Sequence, residues 1–515
     1  MTLSTQKLRI RIGRPTPSWR RIAAGLAISS SLALTHGCSQ VVNPATGESE
    51  FTAMSPAQEK SIGKDQHPKI LQQFGGDYSD AELQAYVTQI GNRLKAVSEL
   101  PDLDFTFTLL NSNVVNAFAL PGGYVYISRG LLALAENEAE VAGVMAHEIG
   151  HVTARHSAQR YSRGILAQGG VTLGAVLAGV FGGGELARTV QQIGGTGAQA
   201  YLAGYSREQE FQSDELGVRY LTRAGYDPVA MATFLEKLGE HSELARKLAG
   251  KEDAPDPSTS MFATHPRTPD RVRRAAEEAR ESGQGGRVVR DEYLRNIDGM
   301  IYGDDPDQGF VRGQTFVHPK LRFRFDAPEG FRLQNTPSAV LGASQSGQGM
   351  KFDAGKMQST SEVRDYLARE WAKELKIQNL SAINSFDING LPAVSAGTNG
   401  KTKDGKPVDV GLAAIKVDAD TVYRFLFLSP GGASSAQARA AKETVESFRK
   451  LSAEEAARYK PKRIKVVKVR SGEGIASLAG KMAVDDFPIE QFVVLNGLES
   501  GEEPEAGSLV KLISD

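Results

Sequence analysis

The stretch His147-Glu148-Ile149-Gly150-His151 constrains this chain more than any other. Asn137 can cap a helix ahead of it, and Glu140 stands three residues on, where a capping box carries its acidic partner. Val141, Val144, Met145, Ile149 and Val152 then recur with helical rather than strand period. On such a helix His147 and His151 lie one turn apart on one face. Two imidazoles so spaced can reach one zinc-sized ion at about 2.0–2.1 Å. Glu148 sits one residue further round, beside the ion and not on it, where it can take a proton from a water. The flanks are apolar, so the helix is expected to be buried. Gly143 and Gly150 stand in its interior, although glycine costs about 1 kcal/mol there against alanine, which predicts a closely packed neighbour.

Composition narrows the ligand types. The chain has 515 residues, too many for one core, and three folded units are expected. Sixty basic residues against 61 acidic ones leave it nearly neutral, and no segment is basic enough for nucleic acid. A single cysteine, Cys38, excludes an internal disulfide and a thiolate zinc site, so metal ligands must come from His, Asp and Glu. The N-terminus is basic up to Arg20 and Arg21, then apolar from Ile22 to Leu34, which is the layout of an export signal and too short to span a membrane.

Along the chain, Ala81 to Ser98 reads as a helix and Phe105 to Leu109 as a strand. Asn116, Ala117 and Phe118 open a pair of short strands around Pro121-Gly122-Gly123, and such a strand edge can pair with an extended peptide. Ile165 to Phe181 is apolar but glycine-rich, and is expected to form a helical hairpin near the site. Ser206 to Arg223 is helical and carries Glu210 and Asp214 four residues apart, with Glu208 and Glu215 as nearby rival carboxylates. His156, five residues past His151, is expected to turn away from the metal face, and Arg207 and Arg271 to form buried ion pairs. A charged helix begins near Asp270. Leu321, Phe323 and Phe325 alternate with arginines and open a second unit of strands and helices without a cluster of catalytic type. The last 50 or so residues form a small third unit.

Taken together, these motifs identify a family. The zinc motif, the strand-turn from Asn116 to Gly123, Ser206-Arg207 with Glu210 and Asp214, and His265-Pro266 fall in the order seen in one group. Over residues 42 to 282 the chain resembles zinc metallopeptidases related to HtpX and the CAAX prenyl protease, in their exported bacterial lipoprotein branch. The resemblance implies one Zn2+ per chain held by His147, His151 and Glu210, with Asp214 orienting a ligand and Glu148 as the catalytic base. His265 can donate to the oxyanion, take the fourth metal position and hold the enzyme latent, or serve as a structural loop residue. Cys38 followed by Ser39 resembles a lipobox, implying lipidation there and the outer membrane as destination. Residues 464–515 resemble a LysM module, except that Gly472-Glu473-Gly474 stands where a Gly-Asp-Thr loop is usual, which weakens the case for glycan binding. The second unit is similar to PsbP-like or Mog-like α/β sandwiches.

The expected fold is α+β and multidomain. A signal peptide at 1–38 precedes a mainly helical gluzincin-type metallopeptidase domain with a small sheet at 39–285. An α+β sandwich at 313–452 and a LysM-like module at 464–515 follow. The expected function is zinc-dependent endopeptidase activity in the periplasm, at the outer membrane, on unfolded or misassembled envelope proteins. Membrane attachment runs through a lipid on Cys38, with possible peptidoglycan contact. The alternative is a peptidoglycan-associated, chaperone-like scaffold with a latent peptidase.

Overall fold

A computed structural model describes residues 39–52, 54–167, 205–248, 265, 269–283, 285–358, 361–401, 405–432, 434–499 and 501–515. Cys38, the export signal and nearly all of the apolar stretch from Ile165 to Phe181 lie outside them. Among the described residues no helix is long and apolar enough to cross a membrane.

The chain opens with a hairpin of β1 (Ser39–Val42) and β2 (Ser49–Thr52), then α1 (Pro56–Gln73) and α2 (Ala81–Lys95). Strands β3 (Thr106–Leu110), β4 (Ala117–Leu120) and β5 (Tyr124–Ser128) form a sheet ordered β3-β5-β4. The Pro-Gly-Gly turn makes β4 and β5 antiparallel and leaves β4 at the edge. Helix α3 (Arg129–Leu134) leads into α4 (Glu138–Thr153), every residue of which is buried. Further helices are α5 (His156–Ala167), α6 (Arg207–Arg223), α7 (Ala230–Leu248), α8 (Pro269–Glu281) and α9 (Arg290–Ile297).

Asn137 caps α4 as expected, its Oδ1 accepting from the Glu140 amide. Glu140 does not close a capping box. Its carboxylate accepts instead from the amide of Glu136, one residue before the cap, because it is also drawn to Lys237 on α7. Gly150 packs as predicted. A Cβ there would lie 3.2 Å from the Leu216 Cβ and 3.3 Å from the Ser213 carbonyl oxygen, so glycine sets the approach of α4 to α6.

The second unit holds a seven-stranded antiparallel sheet whose central strands are Gly349–Lys356, Thr421–Pro430 and Pro407–Lys416. Phe352 and Phe425 pack on one face against Phe316, Phe323 and Phe325 of a four-stranded sheet. Leu412, Leu426 and Leu428 pack on the other against the helical segment containing Leu367 and Trp371. Both faces are covered. The expected alternation begins one step late: Leu321 is exposed at a turn where Arg322 takes φ +55°.

The C-terminal unit is not a detached bead. Strand β6 (Ile301–Tyr302) pairs with β7 (Lys462–Lys468), and β7 with β8 (Leu509–Ser514). Between β7 and β8 lie α10 (Ile475–Ala479) and α11 (Pro488–Asn496). Helix α11 packs on α3 and α7, while both strands pack on α9. Leu478, Phe492, Leu495, Val510 and Leu512 therefore share one apolar core with α4.

Candidate metal centre

Helix α4 delivers His147 and His151 on one face, and α6, crossing it at Gly150 and Gly217, delivers Glu210. His265 arrives from just ahead of α8. One atom from each of the four lies within 4.8 Å of every other, and all four residues are buried. His151 Nε2 is 3.0 Å from His147 Nε2, and His147 Nε2 is 3.2 Å from His265 Nδ1. Glu210 Oε1 is 3.0 Å from His265 Nδ1 and 3.5 Å from His151 Nε2. Bonds of about 2.0–2.1 Å to a tetrahedral ion put neighbouring ligand atoms roughly 3.3 Å apart. The donor set and its edges therefore fit zinc.

Electrostatics point the same way. Burial, with the neighbouring imidazoles His147 and His156, drives His151 well below the ordinary histidine range, so it is neutral, as a ligand must be. Burial raises Glu210, but His265 and Arg271 outweigh it and hold it below the usual range as a carboxylate. Asp214 accepts from both Arg271 Nε and Nη2 at 2.7 Å and lies 2.9 Å from His147 Nδ1. Burial pushes Asp214 up, yet Arg271 and His147 bring it down to about 2. Arg271 also contacts Glu210 Oε2 at 2.7 Å, so one buried guanidinium spans both carboxylates. Arg207, by contrast, is exposed at the start of α6, where its side chain points to solvent. Glu208 and Glu215 are exposed as well and do not reach the centre.

Glu148 is completely buried beside this cluster. Neither of its carboxylate oxygens has a hydrogen-bond partner, and the cation-capable atom His265 Nε2 lies 3.3 Å from Oε1. Burial raises its pKa. A dry carboxylate without a hydrogen bond, faced only by the His265 ring beside a metal-type cluster, is poised for proton transfer. Asn116, just ahead of edge strand β4, is buried too, with Oδ1 lacking a hydrogen-bond partner. Ala117 and Phe118 are core residues. Phe118 stacks on Tyr126 at 4.8 Å.

His156 departs from the expectation, and two further participants, Gln212 and Tyr205, carry no sequence signal. His156 does not turn away: its Nδ1 is 2.8 Å from His151 Nδ1. The helix ends at Thr153, and Arg155 reverses the chain at φ +54°, so helical spacing does not run from His151 to His156. Arg155 is held there by Glu59 and by the Met54 carbonyl, 2.9 Å from its Nη2. Gln212 accepts at 2.8 Å from the other side of His156. Tyr205 stacks on the His151 ring at 3.8 Å, with the Arg160 guanidinium 4.7 Å from the tyrosine ring centroid.

Comparisons with known proteins agree with this geometry. Residues 81–279 match the model of peptidase family M48. The beta-barrel assembly-enhancing protease of Yersinia pestis is 31% identical over 276 residues, 51% of this chain and 52% of that protein. The protein of the same name from Escherichia coli (strain K12) is 34% identical over 207 residues, 38% of this chain and 40% of its own length. The mitochondrial metalloendopeptidase OMA1 of Schizosaccharomyces pombe is 28% identical over 238 residues, 45% of this chain and 65% of its own. The chain thus spans about half the length of the curated relatives it matches. The solution structure of cyanobacterial PsbP (CyanoP) from Synechocystis sp. PCC 6803 aligns over 28% of this chain and 98% of that one. Its identity is 10% and its TM-score 0.22, too low to bear on the fold.

Proposed function

With residues 81–279 a zinc metalloendopeptidase domain of family M48, we propose that the whole chain is an endopeptidase of the bacterial cell envelope. Its substrates are misfolded or misassembled envelope proteins, and a lipid on Cys38 anchors it at the outer membrane, facing the periplasm. One observation carries the reading: His147, His151, Glu210 and His265 converge on one centre, with Glu148 buried beside it and making no hydrogen bond. Support for envelope substrates comes from the two relatives named for enhancing β-barrel assembly.

His147, His151 and Glu210 hold the metal, and Asp214, locked by Arg271, orients His147 through Nδ1. Zinc, when bound, supplies Lewis acidity to the attacking water and the scissile carbonyl. Glu148 accepts the water's proton and later returns it to the leaving amine, and the raised pKa from burial suits both roles. His265 Nδ1 points at the same centre as the three ligands, so it completes a latent four-residue set and must step aside for substrate. Strand β4, the last in its sheet, takes the substrate backbone as an added strand beside Asn116, Ala117 and Phe118.

The strand-helix-helix-strand order of the C-terminal unit supports a LysM-like reading. Glu503 accepts from the Ile475 amide at 2.8 Å and fills the space beside Gly474, which supports weak rather than tight glycan contact. The alternative of a peptidoglycan-associated scaffold needs this unit to act as a tether. Its packing against α3, α7 and α9 favours a structural part of the enzyme instead.

The test is Glu148→Gln assayed on an unfolded protein, with zinc content measured in the same samples. Cleavage should fall by about 10²- to 10⁴-fold with zinc retained. Undiminished cleavage at full zinc content would show that another base acts.

A further inference from the structure

The two imidazole ligands are backed differently. His147 Nδ1 faces a carboxylate, Asp214 Oδ1, at 2.9 Å. His151 Nδ1 faces a third imidazole, His156 Nδ1, at 2.8 Å, and His156 is fully buried. The far nitrogen of that ring, Nε2, is 2.8 Å from Gln212 Oε1, on the same helix as Glu210.

One arrangement of protons satisfies these contacts together with metal binding, and the Ser213 hydroxyl, 3.4 Å from His156 Nδ1, can donate to the same acceptor. His151 Nε2 faces His147 Nε2 and Glu210, so it must present a lone pair to the ion. Its proton then sits on Nδ1 and is donated to His156 Nδ1. That atom accepts only if the His156 proton is on Nε2, from which it is donated to Gln212 Oε1. Reversing Gln212, so that its amide nitrogen faces His156, reverses the chain and puts a proton on His151 Nε2, where the metal belongs.

We propose that His156 is a positioning residue for the metal centre, an acceptor that fixes the His151 tautomer and is itself fixed by Gln212. The proposal rests on the reading of His147, His151 and Glu210 as zinc ligands. A neutral acceptor behind one ligand and a carboxylate behind the other make the ligand pair electronically unequal, with His151 the weaker donor. The device comes from the chain reversal at Arg155, which brings the first residue of α5 back onto the last turns of α4.

The experiment measures zinc affinity of the full chain by chelator competition, and the absorption spectrum of the cobalt-substituted protein. His156→Leu removes the acceptor and should weaken zinc binding by about 10- to 100-fold, with a shifted cobalt spectrum. His156→Asn places an amide oxygen near the lost Nδ1 and should restore affinity to near the parent's. A merely structural role would lower the melting temperature of both variants and leave affinity and spectrum unchanged. Should His156→Leu fail to fold, Gln212→Met keeps the ring but frees its tautomer, and should weaken zinc in the same direction by a smaller factor. Parent-like affinity in His156→Leu or, failing that, in Gln212→Met would overturn the proposal, as would an Asn variant as weak as the Leu one. A parent chain that binds no zinc would overturn the ligand assignment itself.

Discussion

Helix α4 carries a buried polar cluster at each end, and the two are built on opposite principles. Near its C-terminal end, His147 Nε2 and His151 Nε2 stand 3.0 Å apart. With Asp214 and His156 taking the Nδ1 protons, those two atoms present lone pairs to each other and to the Glu210 carboxylate. Acceptors facing acceptors in a dry interior are repulsive unless a cation stands among them. At its N-terminal end every cation meets acceptors. Lys237 Nζ lies 2.6 Å from Glu136 Oε1 and 3.1 Å from Glu140 Oε2. Lys511, from β8 of the C-terminal unit, donates to the carbonyls of Ala133, Leu134 and Ala135 at 2.8, 3.2 and 2.6 Å, capping the end of α3. Its own backbone amide is gripped by Asn496 Oδ1 at 2.7 Å. The first cluster asks for an ion, and the second is complete without one.

The strongest way to break the contrast is to remove residues 460–515. If the N-terminal cluster is part of the enzyme's core, the truncated chain should not fold. Loss of Phe492, Leu495, Val510 and Leu512 from the shared core, at about 1.5–3 kcal/mol each, rivals the whole stability of a domain, about 5–15 kcal/mol. A soluble, cooperatively melting, zinc-binding truncation would show the unit to be an appendage.

Next in size is the metal cluster. Glu210→Gln should lose zinc under a chelator that leaves the parent loaded, whereas Glu208→Gln, altered at an exposed position of the same helix, should behave as the parent. Equal retention in the two variants would remove Glu210 from the ligand set.

The smallest expected effect sharpens the other side. Lys511→Met strands the helix-end carbonyls that the side-chain N–H groups serve, two of them when the amine is neutral, and should cost about 2 kcal/mol in denaturant unfolding without altering zinc affinity. Burial brings Lys511 from 10.5 down to about 7. Between those values the unfolded chain binds the proton and the folded chain does not. This contribution is therefore fully present above about pH 10.5 and lost as pH falls to about 7. Parent stability should climb with pH across that window, and the variant's curve should be flatter by that contribution.

Much of the metal cluster was legible because its parts are local. His147, Glu148 and His151 share one helix, as do Glu210 and Asp214, and helical period alone puts each set on one face. The Asn137 cap and the strand-turn-strand around Pro121-Gly122-Gly123 were readable for the same reason. The family resemblance supplied what spacing could not, namely that Glu210 rather than Glu208 joins the histidines. His156 is not legible from helical spacing because the helix stops short of Arg155, whose left-handed backbone is held by Glu59 and Met54, about a hundred residues earlier in sequence.

The sequence by itself determined the donors: two histidines one turn apart, a glutamate beside them, and a chain whose single cysteine leaves only nitrogen and oxygen ligands. It also determined the helices that carry them, since apolar period and caps act over a few residues. Only the tertiary structure decided that His265 points at the same centre, that His156 and Gln212 back His151, and that Lys511 closes the end of α3 from 376 to 378 residues away. Those contacts depend on which helices cross and where the chain reverses. That is set by packing across the whole core, so no local pattern records it.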